Sequence, residues 1–232
     1  QQVFATHLLT ASVMAVPGSI VIAKIICPQT EPIKDDKKAE WGDEGHANVL
    51  GAISSGTVTG VKLMTNIAAM LLVFISLVAM VNYVTNNVIG HYTGINDWIV
   101  RVTDGKSDGL TFQFILGIIT APFMWLIGVP TNDIMLVGSL LGQKTILNEF
   151  VAYFQLQQWR DAGLFFSQKS VVMATYILCG FANISSIGIL LGGLGVLAPE
   201  KKDLISRVGF KAMIAGALVS VLSATIIGMI FV

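Results

Sequence analysis

Charge is scarce in this 232-residue chain. Only 12% of its residues are Asp, Glu, Lys or Arg, about half the roughly 25% of an ordinary soluble domain. The 14 basic and 14 acidic side chains cancel, so no basic footprint for nucleic acid exists. Two cysteines, Cys27 and Cys179, fall inside apolar runs. They are too few for a disulfide framework and read as small buried hydrophobes. No His, Cys and carboxylate cluster has metal-ligand spacing, and no Ser–His–Asp set is evident. The chain therefore reads as a non-enzyme, with no catalytic residues, no metal ligands and no cofactor. Its opening, "QQVFATHLL", carries no initiator Met, basic n-region or cleavage site, so it is not read as a signal peptide. An abrupt start just ahead of an apolar span predicts a chain whose N-terminal part is missing. What fills the sequence is apolar: 54% of residues are hydrophobic and the mean hydropathy is +0.75. That composition describes an all-α polytopic membrane protein embedded in a lipid bilayer.

Four segments are apolar for the roughly 20 residues that a span requires. They cover 1–27, 65–85, 170–197 and 208–232. The first contains Pro17-Gly18, a predicted kink. Segment 46–64 is helical by periodicity but too polar to span, and reads as an amphipathic helix lying at the interface. Segment 112–156 holds two apolar runs separated by Gly128 and Pro130, a break signal. It reads as a re-entrant helical hairpin, although two full crossings fit the same pattern. Loops fill 28–45, 86–111, 157–169 and 198–207. If the hairpin region makes an even number of crossings, nine Lys and Arg lie on one side and four on the other. The positive-inside rule then places loops 28–45 and 198–207 in the cytoplasm and the C-terminus outside.

Polar groups inside such a chain need a reason. Glu149 stands in "GQKTILNEFVAY", within the second apolar run of the hairpin. A carboxylate at membrane depth costs about 2.5–3.5 kcal/mol on insertion scales and must face protein or water. An ion pair with Lys144 is the plain alternative. Five residues is a poor spacing for it, since helical partners sit three or four apart. Lys144 has no assigned role beyond a structural tie within the hairpin. Asn148 reads as a helix-breaking cap, and "TND" at 131–133 as the N-cap of the second arm.

A second constellation, "CGFANISSIGILLGG", lies in the middle of 170–197. Asn183, Ser185 and Ser186 crowd together between Gly180 and Gly188. They could be helix-packing glue. The competing reading is a discontinuous helix whose unwound midpoint builds a binding site, as transporters use. Phe181 beside it offers an aromatic face for a planar ligand. A carboxylate accepts hydrogen bonds from adjacent hydroxyls, and an amide and a serine add donors and acceptors. The set suits a polar ligand with a diol and a flat base; a sugar, an amino acid or an ion could also use it.

These two motifs resemble the signatures of the concentrative nucleoside transporter family. "GQKTILNEFVAY" is similar to its G-x-K-x-x-x-N-E-F-V-A block and "CGFANISSIGILLGGLG" to the block after it. "WLIGVPTND" and "RVGFKAMIAGALVSVLSATIIG" also resemble it, so the likeness covers essentially the whole chain. The resemblance implies a larger transporter fold and a homotrimer in the plasma (inner) membrane, with 65–85 at the trimer interface. It implies alternating-access symport of a nucleoside with a cation, sodium in preference to proton. Glu149 takes the place of the hairpin glutamate that binds ribose hydroxyls. Asn183 and Ser186 take ribose-binding places, and Phe181 that of the aromatic flanking the base. The family's G-Q-[TS]-E hairpin and the sodium site are expected in the missing N-terminal part. The rival readings are a secondary transporter of another small polar solute and a non-transporting scaffold or channel subunit.

Overall fold

The computed structural model describes residues 2–28, 30, 49–103, 105, 107–184, 186–188 and 202–231. Most of loop 28–45, His46, Ser185 and the 189–197 end of the third expected span lie outside the described residues. The described residues are helical throughout, with no strand among them. The chain divides into two compact units, Gln29–Leu77 and the remainder.

Helix α1 (Gln2–Ile26) runs through Pro17 without interruption. Together with α8 (Lys202–Ile230) it is one of two described helices long and apolar enough to cross a membrane. A Cβ at Gly18 would stand 3.3 Å from Val219 Cγ1, so the glycine lets these two helices approach closely. Cys27, expected to be buried, is exposed at the end of α1. Helix α8 starts at Lys202, so 202–207, expected as loop, is helical.

Helix α2 (Val49–Asn82) merges the expected interfacial helix 46–64 and the span 65–85 into one element. The polarity change near residue 64 does not interrupt the helix backbone. Thr57, Thr65 and Ser76 satisfy their hydroxyls on carbonyls four residues back, which removes a local reason to break. Much of the expected loop 86–111 is helical too. Tyr83–Gly90 continues α2 with wider π-type hydrogen bonding, and α3 spans Ile95–Val102. Two asparagines fasten the segment leading to the hairpin: Leu110 N–H donates to Asn96 Oδ1 (2.9 Å) and Phe112 N–H to Asn82 Oδ1 (2.7 Å).

The expected hairpin is an antiparallel pair, α4 (Phe112–Leu126) and α5 (Ile134–Ile146), and α5 ends sooner than the arm read from the sequence. Thr111 caps α4 by accepting from Phe114 N–H. Gly128 turns the chain at φ +83°, a conformation that suits a residue without Cβ. Small residues then zip the pair together: a Cβ at Gly142 would meet Leu116 Cβ at 2.5 Å, and one at Gly117 the Met135 carbonyl at 2.9 Å. After Ile146 the chain breaks and a separate helix begins, α6 (Glu149–Asp161), followed by α7 (Gln168–Leu178). Loop 157–169 shrinks accordingly to 162–167.

Helices α4 to α7 thus zigzag. The turns at 127–133 and 162–167 lie together at one end, joined by Asp133, whose carboxylate accepts from Phe166 N–H (2.9 Å) and Ser167 N–H (3.0 Å). This corrects its expected role, since Asp133 makes no side-chain cap on α5. Its two carboxylate oxygens each take one backbone donor of the second loop instead. Every residue of α7 from Ser170 to Leu178 is buried. It forms the core against Ala11 of α1, Val137 and Leu140 of α5, Ala152 and Leu156 of α6, and Ala224 of α8. Because α7 carries no broad polar face, burial on all sides is its stable solution.

Candidate functional site

The end of the zigzag opposite Asp133 holds both breaks. Helix α5 stops at Ile146, and Asn148 turns the chain in extended conformation (φ −171°, ψ 171°). Its side-chain oxygen accepts from Val151 N–H at 3.0 Å, so it is the cap that the sequence suggested. Glu149 is therefore the first residue of a new helix and not part of the second hairpin arm. A carboxylate in the first turn of a helix faces the positive end of the helix dipole. Glu149 is only 4% exposed. Its Oε2 accepts a 2.8 Å hydrogen bond from Asn183 Nδ2.

Asn183 arrives from the second break. Helix α7 ends at Leu178, residues 179–183 are non-helical, and helix resumes at Ile184. Asn183 and Ser186 close this restart reciprocally. Ser186 N–H donates to Asn183 Oδ1 (2.7 Å), and Asn183 N–H donates to Ser186 Oγ (3.3 Å). That is the geometry of a capping box, with serine in the position more often held by Glu or Gln. Two donors freed by the break are thereby satisfied, which a broken helix in an apolar setting requires. Phe181 lies in the non-helical stretch and is 68% exposed. Its ring stands edge-on to Phe150 at 6.2 Å between centroids.

The structure thus brings Glu149, Asn183 and Ser186 into one hydrogen-bonded chain and sets Phe181 beside them through Phe150. A cavity of about 330 Å³ opens next to the break, lined by Phe181 and Ser186 and, from α1 and α8, by Val16, Met213 and Val219. Its volume is at the lower end for ligand pockets. Glu149 and Asn183 do not line it. Lys144 makes no ion pair with Glu149. Its ammonium, fully buried, donates to Ile177 O (2.7 Å) and Ser220 Oγ (3.1 Å), so its tie runs between helices and not within the hairpin. Three partners were not read from the sequence: Phe150, Ser220 and Tyr153, whose hydroxyl donates to Thr175 O at 2.8 Å. Tyr153 was within reach of sequence reasoning, since it lies four residues from Glu149 on one helix face. Phe150 and Ser220 carried no local signal.

Short helices joined by capped breaks, around an acid–amide pair in an apolar chain, are an arrangement that membrane transporters with discontinuous helices use. Comparison with known proteins gives the particular family. The profile described as "Na+ dependent nucleoside transporter C-terminus" matches residues 7–228, and the chain belongs to that family. It is 42% identical to the uncharacterized transporter YutK of Bacillus subtilis over 96% of this chain and 52% of that protein. It is 38% identical to the nucleoside permease NupC of Helicobacter pylori over 96% of this chain and 50% of that protein. With the sodium/nucleoside cotransporter 1 of Rattus norvegicus the identity is 36%, over 98% of this chain and 35% of the relative. The chain thus spans about half the length of the bacterial relatives it matches. Among solved structures, CNTnw in an inward-facing substrate-bound state superposes with TM-score 0.76 at 38% identity, covering 96% of this chain and 50% of that one. A CNTnw variant in an intermediate state gives TM-score 0.81 at 37% identity, with 96% and 51% covered.

Proposed function

We propose that this chain is the ribose-binding, C-terminal part of a cation-coupled nucleoside symporter that works by alternating access. The observation that carries the reading is the Glu149–Asn183 hydrogen bond at the meeting point of two helix breaks. A buried carboxylate has about four lone-pair positions. Asn183 uses one and leaves the others for a pair of neighbouring hydroxyls, the signature of a ribose. Ser186 supplies a further hydroxyl. Phe181, exposed beside Phe150, offers a face for a planar base. Relatives named as nucleoside permease and sodium/nucleoside cotransporter support the solute class and favour sodium over proton as the coupling ion. CNTnw structures in inward- and outward-facing states support alternating access. The cation site and the base-reading hairpin are assigned to sequence outside this chain.

In the proposed arrangement α1, α2, the broken helix beginning with α7, and α8 span the plasma (inner) membrane. The N-terminal part of α2 lies at the interface. Helices α4 to α7 measure about 16–22 Å at 1.5 Å per residue, shorter than the roughly 30 Å hydrocarbon core. Each therefore reaches only part of the way: the turns at 127–133 and 162–167 face one side of the membrane, and the α5–α6 junction at the other end of the zigzag lies inside it. Glu149 and Asn183 sit near mid-depth. If 112–156 makes an even number of crossings, Lys and Arg counts support an extracytoplasmic C-terminus, and 65–85, the later part of α2 and its continuation, is the segment proposed for a homotrimer interface. The test is uptake of radiolabelled uridine and, in parallel, glutamate by cells producing the native protein that contains this chain, under imposed sodium or proton gradients. Sodium-driven uridine uptake is expected. Glutamate uptake without uridine uptake would assign another solute class, and no uptake of either would favour a scaffold or channel subunit.

A further inference from the structure

Lys144 and Tyr153 flank Glu149 in sequence, and both reach across to the same place. A helix leaves its last carbonyls without intrahelical partners, and α7 ends one residue before the break that carries Phe181 and Asn183. Of the carbonyls in its last turn, Tyr176 O accepts from Cys179 N–H in a tightened turn. Thr175 O accepts from Tyr153 Oη at 2.8 Å and Ile177 O from Lys144 Nζ at 2.7 Å. The end of α7 is thus closed by side chains of α5 and α6, the two helices whose junction holds Glu149. The ammonium also meets the negative end of the α7 dipole. It carries the contact onward to Ser220 Oγ of α8 at 3.1 Å. A Cβ at Gly180 would stand 3.6 Å from the same ammonium, so the lysine head lies directly under the break.

We propose that Lys144 and Tyr153 are positioning residues: a two-point clamp that fixes the end of α7 relative to Glu149 and so sets the Glu149–Asn183 pairing. This deepens the nucleoside reading and rests on it. Lys144 makes no hydrogen bond to Glu149 or Asn183; its hydrogen bonds go to the α7 terminus and to Ser220 of α8. The charge matters for that job. A neutral side chain of equal length would fill the space and leave Ile177 O and the dipole uncompensated in an apolar surround.

The test uses the native protein containing this chain, with Lys144→Met and Tyr153→Phe. Uptake kinetics are measured for uridine and for 3′-deoxyuridine, with the amount of protein in the membrane quantified. Lys144→Met is expected to raise the KM for uridine roughly tenfold, the scale of one lost charged hydrogen bond. The KM for 3′-deoxyuridine should rise much less, because that substrate lacks a hydroxyl that the misplaced pair no longer reads. Tyr153→Phe removes a single hydroxyl and should move the same ratio in the same direction by a smaller factor. A merely structural role would lower Vmax with the amount of protein and leave both KM values alone. Unchanged uridine KM in both variants, or a rise shared equally by the two nucleosides, overturns the clamp. If Lys144→Met does not accumulate, Tyr153→Phe decides alone on the same criteria. Wild-type protein that takes up no uridine sinks the nucleoside reading and the clamp with it; normal wild-type uptake with unaltered variants sinks the clamp only.

Discussion

Replacing Glu149 with Gln changes one atom and one charge. The amide oxygen of the substituted side chain can still accept from Asn183 Nδ2, whose present bond is 2.8 Å. The site is 4% exposed, so the variant also removes a desolvated charge from an apolar setting. Loss of fold stability should therefore stay below about 1.5 kcal/mol, the net value of an ordinary hydrogen bond. Substrate binding should respond differently. A hydrogen bond to a charged group contributes about 1.5–3 kcal/mol and a neutral one about 0.5–1.5. Two ribose hydroxyls each lose about 1–1.5 kcal/mol in the exchange. At about 1.4 kcal/mol per decade, the total raises the KM for uridine roughly 30- to 150-fold. The assay is initial-rate uptake of radiolabelled uridine, with melting of the detergent-solubilised protein as the control for fold. A KM within about threefold of wild type, at equal amounts of membrane protein, would refute the assignment of Glu149 to the ribose.

Three further outcomes come from the packing. Asp133→Ala strands the N–H groups of Phe166 and Ser167 and should lower stability by about 2–4 kcal/mol, read as a drop in melting temperature; an unchanged melting curve contradicts the bridging role. Asn148→Ala removes the cap on Val151 N–H, with a loss of about 1 kcal/mol and reduced uridine uptake, because the same turn presents Glu149. In Gly142→Ala the new methyl meets Leu116 Cβ at 2.5 Å; such overpacking typically costs about 1–3 kcal/mol, and a fully stable variant would show that α4 and α5 can separate freely.

The sequence made the long apolar helices α1 and α8 plain, because composition over 20 or more residues decides them. It also marked Glu149, Asn183 and Ser186, since polar groups stand out in an apolar chain, and Asn148 as a cap. It misjudged what depends on distant partners. Asp133 looked like a local cap, yet its donors lie 33 and 34 residues away. Lys144 looked like a tie within the hairpin, yet its acceptors belong to α7 and α8. The border between 46–64 and 65–85 tracked polarity, which a continuous helix backbone need not obey. The hairpin arm was drawn through residue 156 because hydrophobicity continues past Leu147, whereas the break there depends on Asn148 adopting an extended conformation.

The bond between Glu149 and Asn183 has a mechanical consequence. Glu149, Asn183 and Ser186 are hydrogen-bonded to one another without any added partner. A hydroxyl that approached the carboxylate would share it with the Asn183 amide, so that one amide and the incoming group would be held by the same charge. The two helix breaks are tied to each other by these side chains, so a shift of one break carries the other with it.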